Sequence, residues 1–277
     1  MSLWLLAIAG GSVDAAILIG FNVLTAAQTG NTILLAVALA RGDAVGGTSA
    51  ALSVLAFMLG AALGALLLGR GTGNRPSLLP VLLTEAMLLL GMLGFWIGVK
   101  PLDRHEQLGV IALAALAMGL QSALALRLHG PTTTYMTGTL TGFSTGLVEW
   151  MQTGWRASAG ASPGRPSGEP AGPPPWRSGL TWLLYLASAI GCGALFLHFD
   201  ALALLLPAGA VCLVILLQIR TGGCAPGQAR RLDQRPPYSW SWALRPGYWQ
   251  EQKTSVFNAP SSALSAPTSR RRPQRAA

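Results

Sequence analysis

The chain has 277 residues, of which 51% are hydrophobic and only 10% charged, with a mean hydropathy of +0.48. Soluble domains carry about 25% charged residues, so the composition excludes an ordinary soluble domain and points to the membrane class. The net charge of +9 is local: residues 1–219 hold 9 Lys+Arg and 8 Asp+Glu, whereas residues 220–277 hold 10 and 2. The basic excess belongs to a tail, and a nucleic-acid-binding domain is excluded.

In chain order, an apolar run over residues 3–40 comes first, broken by Gln28-Thr29-Gly30-Asn31-Thr32. As one helix it would reach about 57 Å against about 30 Å of hydrocarbon, so it is expected to unwind inside or to cross twice. Its start lacks a basic leader region and Asp14 follows early, so it is expected to be a retained span rather than a signal peptide, with the true start possible upstream. Continuous apolar runs over 51–69, 78–99, 108–126, 180–197 and 201–219 each approach the length of a transmembrane helix, and their continuity excludes barrel strands. Between them lie the charged connection "KPLDRHEQ" (100–107), a second Thr-rich interruption "PTTTYMTGTLTG" (131–142), and a Pro/Gly/Ser-rich loop over 152–177. Residues 220–277 read as a disordered basic tail whose Trp and Arg residues suit anionic lipid headgroups. Six crossings place Arg70, Arg75, Arg156, Arg165, Arg177 and the tail beside the N-terminus, with Arg41, Lys100 and Arg104 opposite. By the positive-inside rule, both termini are expected in the cytoplasm.

The chain also resembles itself. At an offset of 108, Gly11 meets Gly119, Ala15 meets Ala123, Thr25 meets Thr133, Thr29 meets Thr137 and Gly30 meets Gly138. Further on, "LGALLLG" (63–69) resembles "CGALFLH" (192–198). The expected fold is therefore an all-α polytopic membrane bundle of about six spans in two three-span repeats, 1–100 and 101–219, each with an interrupted helix. Three crossings per repeat make the halves inverted; four, giving eight in all, would make them parallel.

Polar residues at membrane depth carry the functional expectation. Asp14 lies well inside the first run, where an ionisable group costs at least about 2.5–3.5 kcal/mol. It is a candidate coupling group, or else it caps something near the interface. Glu85 is a possible second ionisable site, equally suited to a structural salt bridge with Arg75 or Arg70. Gln28, Thr29, Gly30 and Asn31 in the first break, and Thr133, Thr137, Gly138 and Thr139 in the second, supply amides, hydroxyls and flexible backbone, with Gln121 beside the repeat partner of Asp14. Irregular backbone at this depth must be buried by protein or line a wet cavity, so paired breaks point to a solute site between the halves; packed kinks are the rival explanation. Gly142-Phe-Ser-Thr-Gly146 fits a hydrolase pattern but lacks its strand-to-helix setting, and His105, His129 and His198 stand apart at span ends. No enzyme activity, cofactor or metal is expected, and three scattered cysteines form no framework.

The segments "GSVDAAILIGFNVLTAAQTGN" and "AMGLQSALALRLHGPTTTYMTGT" resemble the two signatures of the YoaK family of bacterial membrane proteins, built around a domain of unknown function. The matching residues are Gly11, Asp14, Ala15, Thr29, Gly30, Asn31, Met118, Gly119, Gln121, Thr133, Thr137, Gly138 and Thr139, and the likeness covers about residues 5–220. The resemblance implies about six spans in a bacterial inner membrane and a role in small-molecule export, without naming a substrate. The expected partners are the bilayer, an unidentified small solute and anionic headgroups at the tail, with self-association left open. The alternative is a membrane sensor, assembly factor or partner subunit that moves no solute.

Overall fold

Helix α1 (Ser2–Phe21) opens the chain, and its 20 residues reach about 30 Å. Residues 22–27 are not helical. Next come α2 (Gln28–Arg41), α3 (Ala44–Gly69), α4 (Leu79–Gly98), α5 (Arg104–Arg127), α6 (Met136–Ser158) and α7 (Pro175–Phe199). A single 3-10 turn, η1 (Asp200–Leu204), leads into α8 (Leu205–Arg220). The computed structural model describes residues 2–69, 78–99, 101–128, 136–158 and 175–220, which contain no strand. Thr133, Arg70, Arg75, the heart of the 152–177 loop and the tail beyond Arg220 lie outside the described residues. Helix α6 runs on to Ser158 and α7 starts at Pro175, so helix occupies both ends of the stretch read as a loop.

Side-chain contacts set the helix directions. Trp4 packs on Trp176, Gly11 lies against the Tyr185 carbonyl, and Gly193 lies beside Ala15 and Ile19. Helices α1 and α7 are therefore parallel. Arg104 donates to the Val45 carbonyl and to Ser49, Gly119 meets Phe57, and Gly64 meets Ala123, so α3 and α5 are parallel too. Gln121 reaches Glu85 while Phe95 lies over Gly109, which makes α4 antiparallel to α5. Trp96 packs against Phe21 and Phe196, so α1, α4 and α7 all end at the same end of the bundle, here the second end. Helices α3 and α5 start there, and α1 starts at the first end. Helix α8 packs along α1 and α4, which it can reach only by running back from η1.

Helix α2 is shorter and does not traverse. Asn31 pairs with Ser53 and Ala38 with Gly47, so α2 climbs antiparallel to α3 from mid-bundle to the second end. Gly42, at φ 68°, caps it in the left-handed region that glycine tolerates. Since α5 ends and α7 begins at the first end, the segment holding α6 makes no net crossing. Phe143 of that helix packs on Gly179.

Among the described residues, five stretches are long and apolar enough to cross a membrane: Leu3–Phe21, Ala44–Gly69, Leu79–Gly98, Arg104–Arg127 and Trp176–Arg220. The fifth contains α7, η1 and α8, so the described helices traverse the bundle six times. Large apolar side chains such as Leu39, Leu59, Leu66, Met87, Ile190 and Leu197 are more than half exposed. A soluble surface would not carry so many; lipid would cover them. The fold is a polytopic helical membrane bundle.

Lipid tails are as apolar as leucine, so helices in a membrane associate through close fit. A methyl group at Gly60 would strike the Leu116 carbonyl, and one at Gly119 the Phe57 carbonyl. The α3–α5 contact is thus backbone against backbone. Gly119→Val should force these helices apart at a cost of about 1–3 kcal/mol, read as a lower unfolding midpoint in detergent by fluorescence-detected gel filtration. Gly91→Ala, with nothing within 4 Å of the added carbon, should leave the midpoint unchanged.

Candidate functional site

The site begins where α1 ends. Asn22 adopts φ 58°, a conformation that asparagine tolerates better than other side chains. Its N–H still bonds back to the Leu18 carbonyl. The chain then turns into the bundle alongside α1, which leaves main-chain N–H groups without helical partners at membrane depth. Each one stranded there would cost several kcal/mol.

Asp14 takes most of them. Its Oδ1 accepts from Thr25 N at 2.6 Å, Ala26 N at 2.7 Å and Thr25 Oγ1 at 3.0 Å. Its Oδ2 accepts from Ala27 N at 3.2 Å and from the Tyr185 hydroxyl at 2.7 Å. Asp14 is 3% exposed. Its carboxylate stands at the N-terminal end of α2, where negative charge is favoured by the helix dipole. Gly11 lies one turn earlier on the same face of α1. Having no side chain, it lets α7 approach until Tyr185 reaches the carboxylate. This gives the G-x-x-D spacing a physical reason: the glycine sets the approach and the aspartate uses it.

Asn31 completes the accounting. Its Oδ1 accepts from Leu24 N at 2.9 Å, while its Nδ2 donates to the Leu24 carbonyl at 2.6 Å, to Ser53 Oγ at 2.9 Å and to Gln28 Oε1 at 3.0 Å. Ser53 also donates to the Leu24 carbonyl, and Gln28 Nε2 to the Thr25 carbonyl. The carbonyls of Ala26 and Ala27 accept from Gln28 N and Gly30 N. Every N–H and C=O of residues 24–27 thus has a partner.

The unwound piece is residues 22–27, just before the polar run Gln28 to Thr32 that marks it in the sequence. Gln28 to Thr32 form the first turns of α2, from which Gln28 and Asn31 reach back to the irregular backbone. In the second half, α6 begins at Met136. Thr137, Gly138 and Thr139 are therefore helical, the first two exposed and Thr139 buried. In α2, Thr29 is exposed, Gly30 half-buried, and Asn31 buried. Ser144 of the G-x-S-x-G stretch sits within α6 and donates to the Leu140 carbonyl, far from the elbow a hydrolase needs.

Gln121 stands elsewhere, donating to Glu85 Oε1 at 2.9 Å between α5 and α4. The structure thus gathers Asp14, Gln28 and Asn31 into one network and puts Gln121 with Glu85 in another. Tyr185 and Ser53 are members that sequence reasoning missed. Their one signal was a polar side chain inside an apolar span.

A membrane bundle organised around a pinned break defines a class of protein without an activity. A family model described as a protein of unknown function (DUF1275) matches residues 2–217, and the chain belongs to that family. No curated protein and no solved structure matches the chain.

Asp14→Ala should strand the N–H groups of Thr25, Ala26 and Ala27, at about 1–3 kcal/mol for each one left unsatisfied. Tyr185→Phe removes a single bond and should lower the unfolding midpoint less. An Asp14→Ala protein as stable as wild type would show that the carboxylate does not anchor the break.

Proposed function

We propose that the protein is a secondary transporter, exporting a small molecule across the bacterial inner membrane by movement of two inverted repeats. The observation that carries this is the way helices pair. Helix α1 packs on α7 and α8, and α5 packs on α3 and α4; α2 joins α3 as α6 joins α7. Exchanging the halves maps this set onto itself, with α1, α3 and α4 running opposite to α5, α7 and α8 respectively. Residue contacts follow the same rule. Gly64 beside Ala123 corresponds to Gly193 beside Ala15, at the offsets of 129 and 108 read in the sequence. Gly11 and Gly119, also matched, each touch main chain of the other half. Inverted repeats with broken helices are the architecture of many secondary transporters, whose sites lie near mid-bilayer between the repeats.

In this reading Asp14 and Asn31 are scaffold, and the exposed hydroxyls of Thr29 and Thr137 are placed to meet solute, with Gln28, Gly30, Gly138 and Thr139 around them and Thr133 and Gln121 as further candidates. Arg41 and Arg104 lie toward the second end, and Arg127, Arg177 and Arg220 toward the first, which supports cytoplasmic termini. A non-transporting role, as sensor, assembly factor or partner subunit, is favoured by one fact: the first break has no main-chain group of residues 24–27 left to offer a solute.

Two measurements separate these readings. Single cysteines at Thr29, Thr32, Thr137 and Thr141 should react with membrane-impermeant thiol reagents if water reaches them. Metabolite profiles of cells and medium, with and without the gene, should differ in one chemical class, restored by wild type and at least several-fold less by Thr137→Ala at equal membrane levels. Uniform protection together with identical profiles would remove the transporter reading.

A further inference from the structure

Glu85 is 0% exposed, and among the described residues its Oε2 is a buried oxygen with no hydrogen-bond partner. Its Oε1 accepts from Gln121. Among the described residues, a carboxylate held this way is a buried charge with one hydrogen bond and no counter-charge, an arrangement that costs several kcal/mol. Among the described residues, the elements packed on α4 place no cation beside it. Glu85 is the only ionisable residue of α4, and α3 has none. Helix α5 carries Arg104, His105 and Glu106 at its opposite end and the exposed Arg127 beyond Gln121; α8 carries Cys212 and the exposed Arg220, and η1 the exposed Asp200. Among the described residues, no salt bridge to Glu85 is formed.

The position is also not arbitrary. At the offset of 108, Asp14 corresponds to Ser122, next to Gln121. The first half supplies its own carboxylate from α1, whereas at the matching level of the second half the carboxyl comes from α4. Glu85 lies six residues inside α4, about 9 Å from the first end, and Asp14 seven residues inside α1, about 10 Å from the second end. One carboxyl is tied up by five donors; the other keeps an oxygen open.

We infer that Glu85 is a proton-exchange site, positioned by Gln121, whose proton is taken up and released as the α4–α5 contact closes and opens; its use as a coupling group rests on the transporter reading. A metal cation needs several oxygen ligands and a solute needs room, and a wholly buried carboxyl among Leu82, Ala86 and Leu89 supplies neither. A proton needs only the open oxygen. In the closed bundle the acid form carries no charge. When the contact opens, the O–H bond breaks, the proton passes to water entering from the first end, and the carboxylate charge is hydrated.

The test is infrared difference spectroscopy of the full chain in lipid bilayers, between acid and alkaline pH. Wild type should show the carbonyl-stretch band of a buried carboxylic acid that disappears on alkalinisation. Glu85→Gln, which keeps the shape and can still pair with Gln121, should lose that band; Glu85→Asp should keep an acid band with a displaced midpoint. Gln121→Leu should shift its frequency. A wild-type band that ignores pH, or one that persists in Glu85→Gln, overturns the assignment. The spectrum involves no solute, so a Glu85 band in a protein that moves nothing would sustain the proton site and remove only transport.

Discussion

One carboxylate makes the first break possible. Hydrocarbon offers no water to a free N–H, so a chain that unwinds inside a membrane must bring its own acceptors. Asp14 provides two oxygens to three successive main-chain N–H groups and a threonine hydroxyl, and its remaining reach goes to Tyr185 on α7. The consequences spread outward from there. With Thr25, Ala26 and Ala27 held at the level of Asp14, α2 must begin at mid-bundle and emerge from the second end. Asn31 and Ser53 then fasten it to α3. Gly11 is part of the same device, because any side chain there would hold Tyr185 away from its acceptor.

Much of the architecture was legible because membrane helices advertise themselves by length and apolarity. Five of the six long runs fall within a few residues of the observed helices, and Ala44–Gly69 is longer than its run only because its first turns carry Gly, Thr and Ser. The break was legible in existence and misplaced in position, for a physical reason. Polar residues near an unwound stretch are those that repair it, and repair is easiest from the first turn of the next helix. Residues 23–24 are apolar yet irregular, while the polar Gln28 to Thr32 are helical. What forces the irregularity lies eleven residues upstream, and a sequence scan does not link the two.

Long-range partners were invisible for the same reason. Tyr185 is 171 residues from Asp14, and Ser53 is 22 from Asn31. Each is one hydroxyl in a greasy helix, and only the helix register says which way it faces. Glu85 was legible as deep, yet its arginine candidates drew attention away from Gln121, a neutral residue already marked for its place in the repeat. Charge complementarity is a weak guide where the dielectric penalises every ion, and an amide is the cheaper neighbour.

The exchange of leading helices has a mechanical corollary. Because α1 is embraced by α7 and α8, and α5 by α3 and α4, the parts that would swing as rigid pieces are not the two stretches of chain that look alike. One piece is α2 to α5; the other is α1 with α6, α7 and α8. The tether between them includes residues 22–27, gripped by Asp14 from one piece and continuous with α2 in the other. Any rocking of one piece against the other would therefore bend or slip that short strap, and severing the chain near residue 100 would cut across both pieces and leave neither whole.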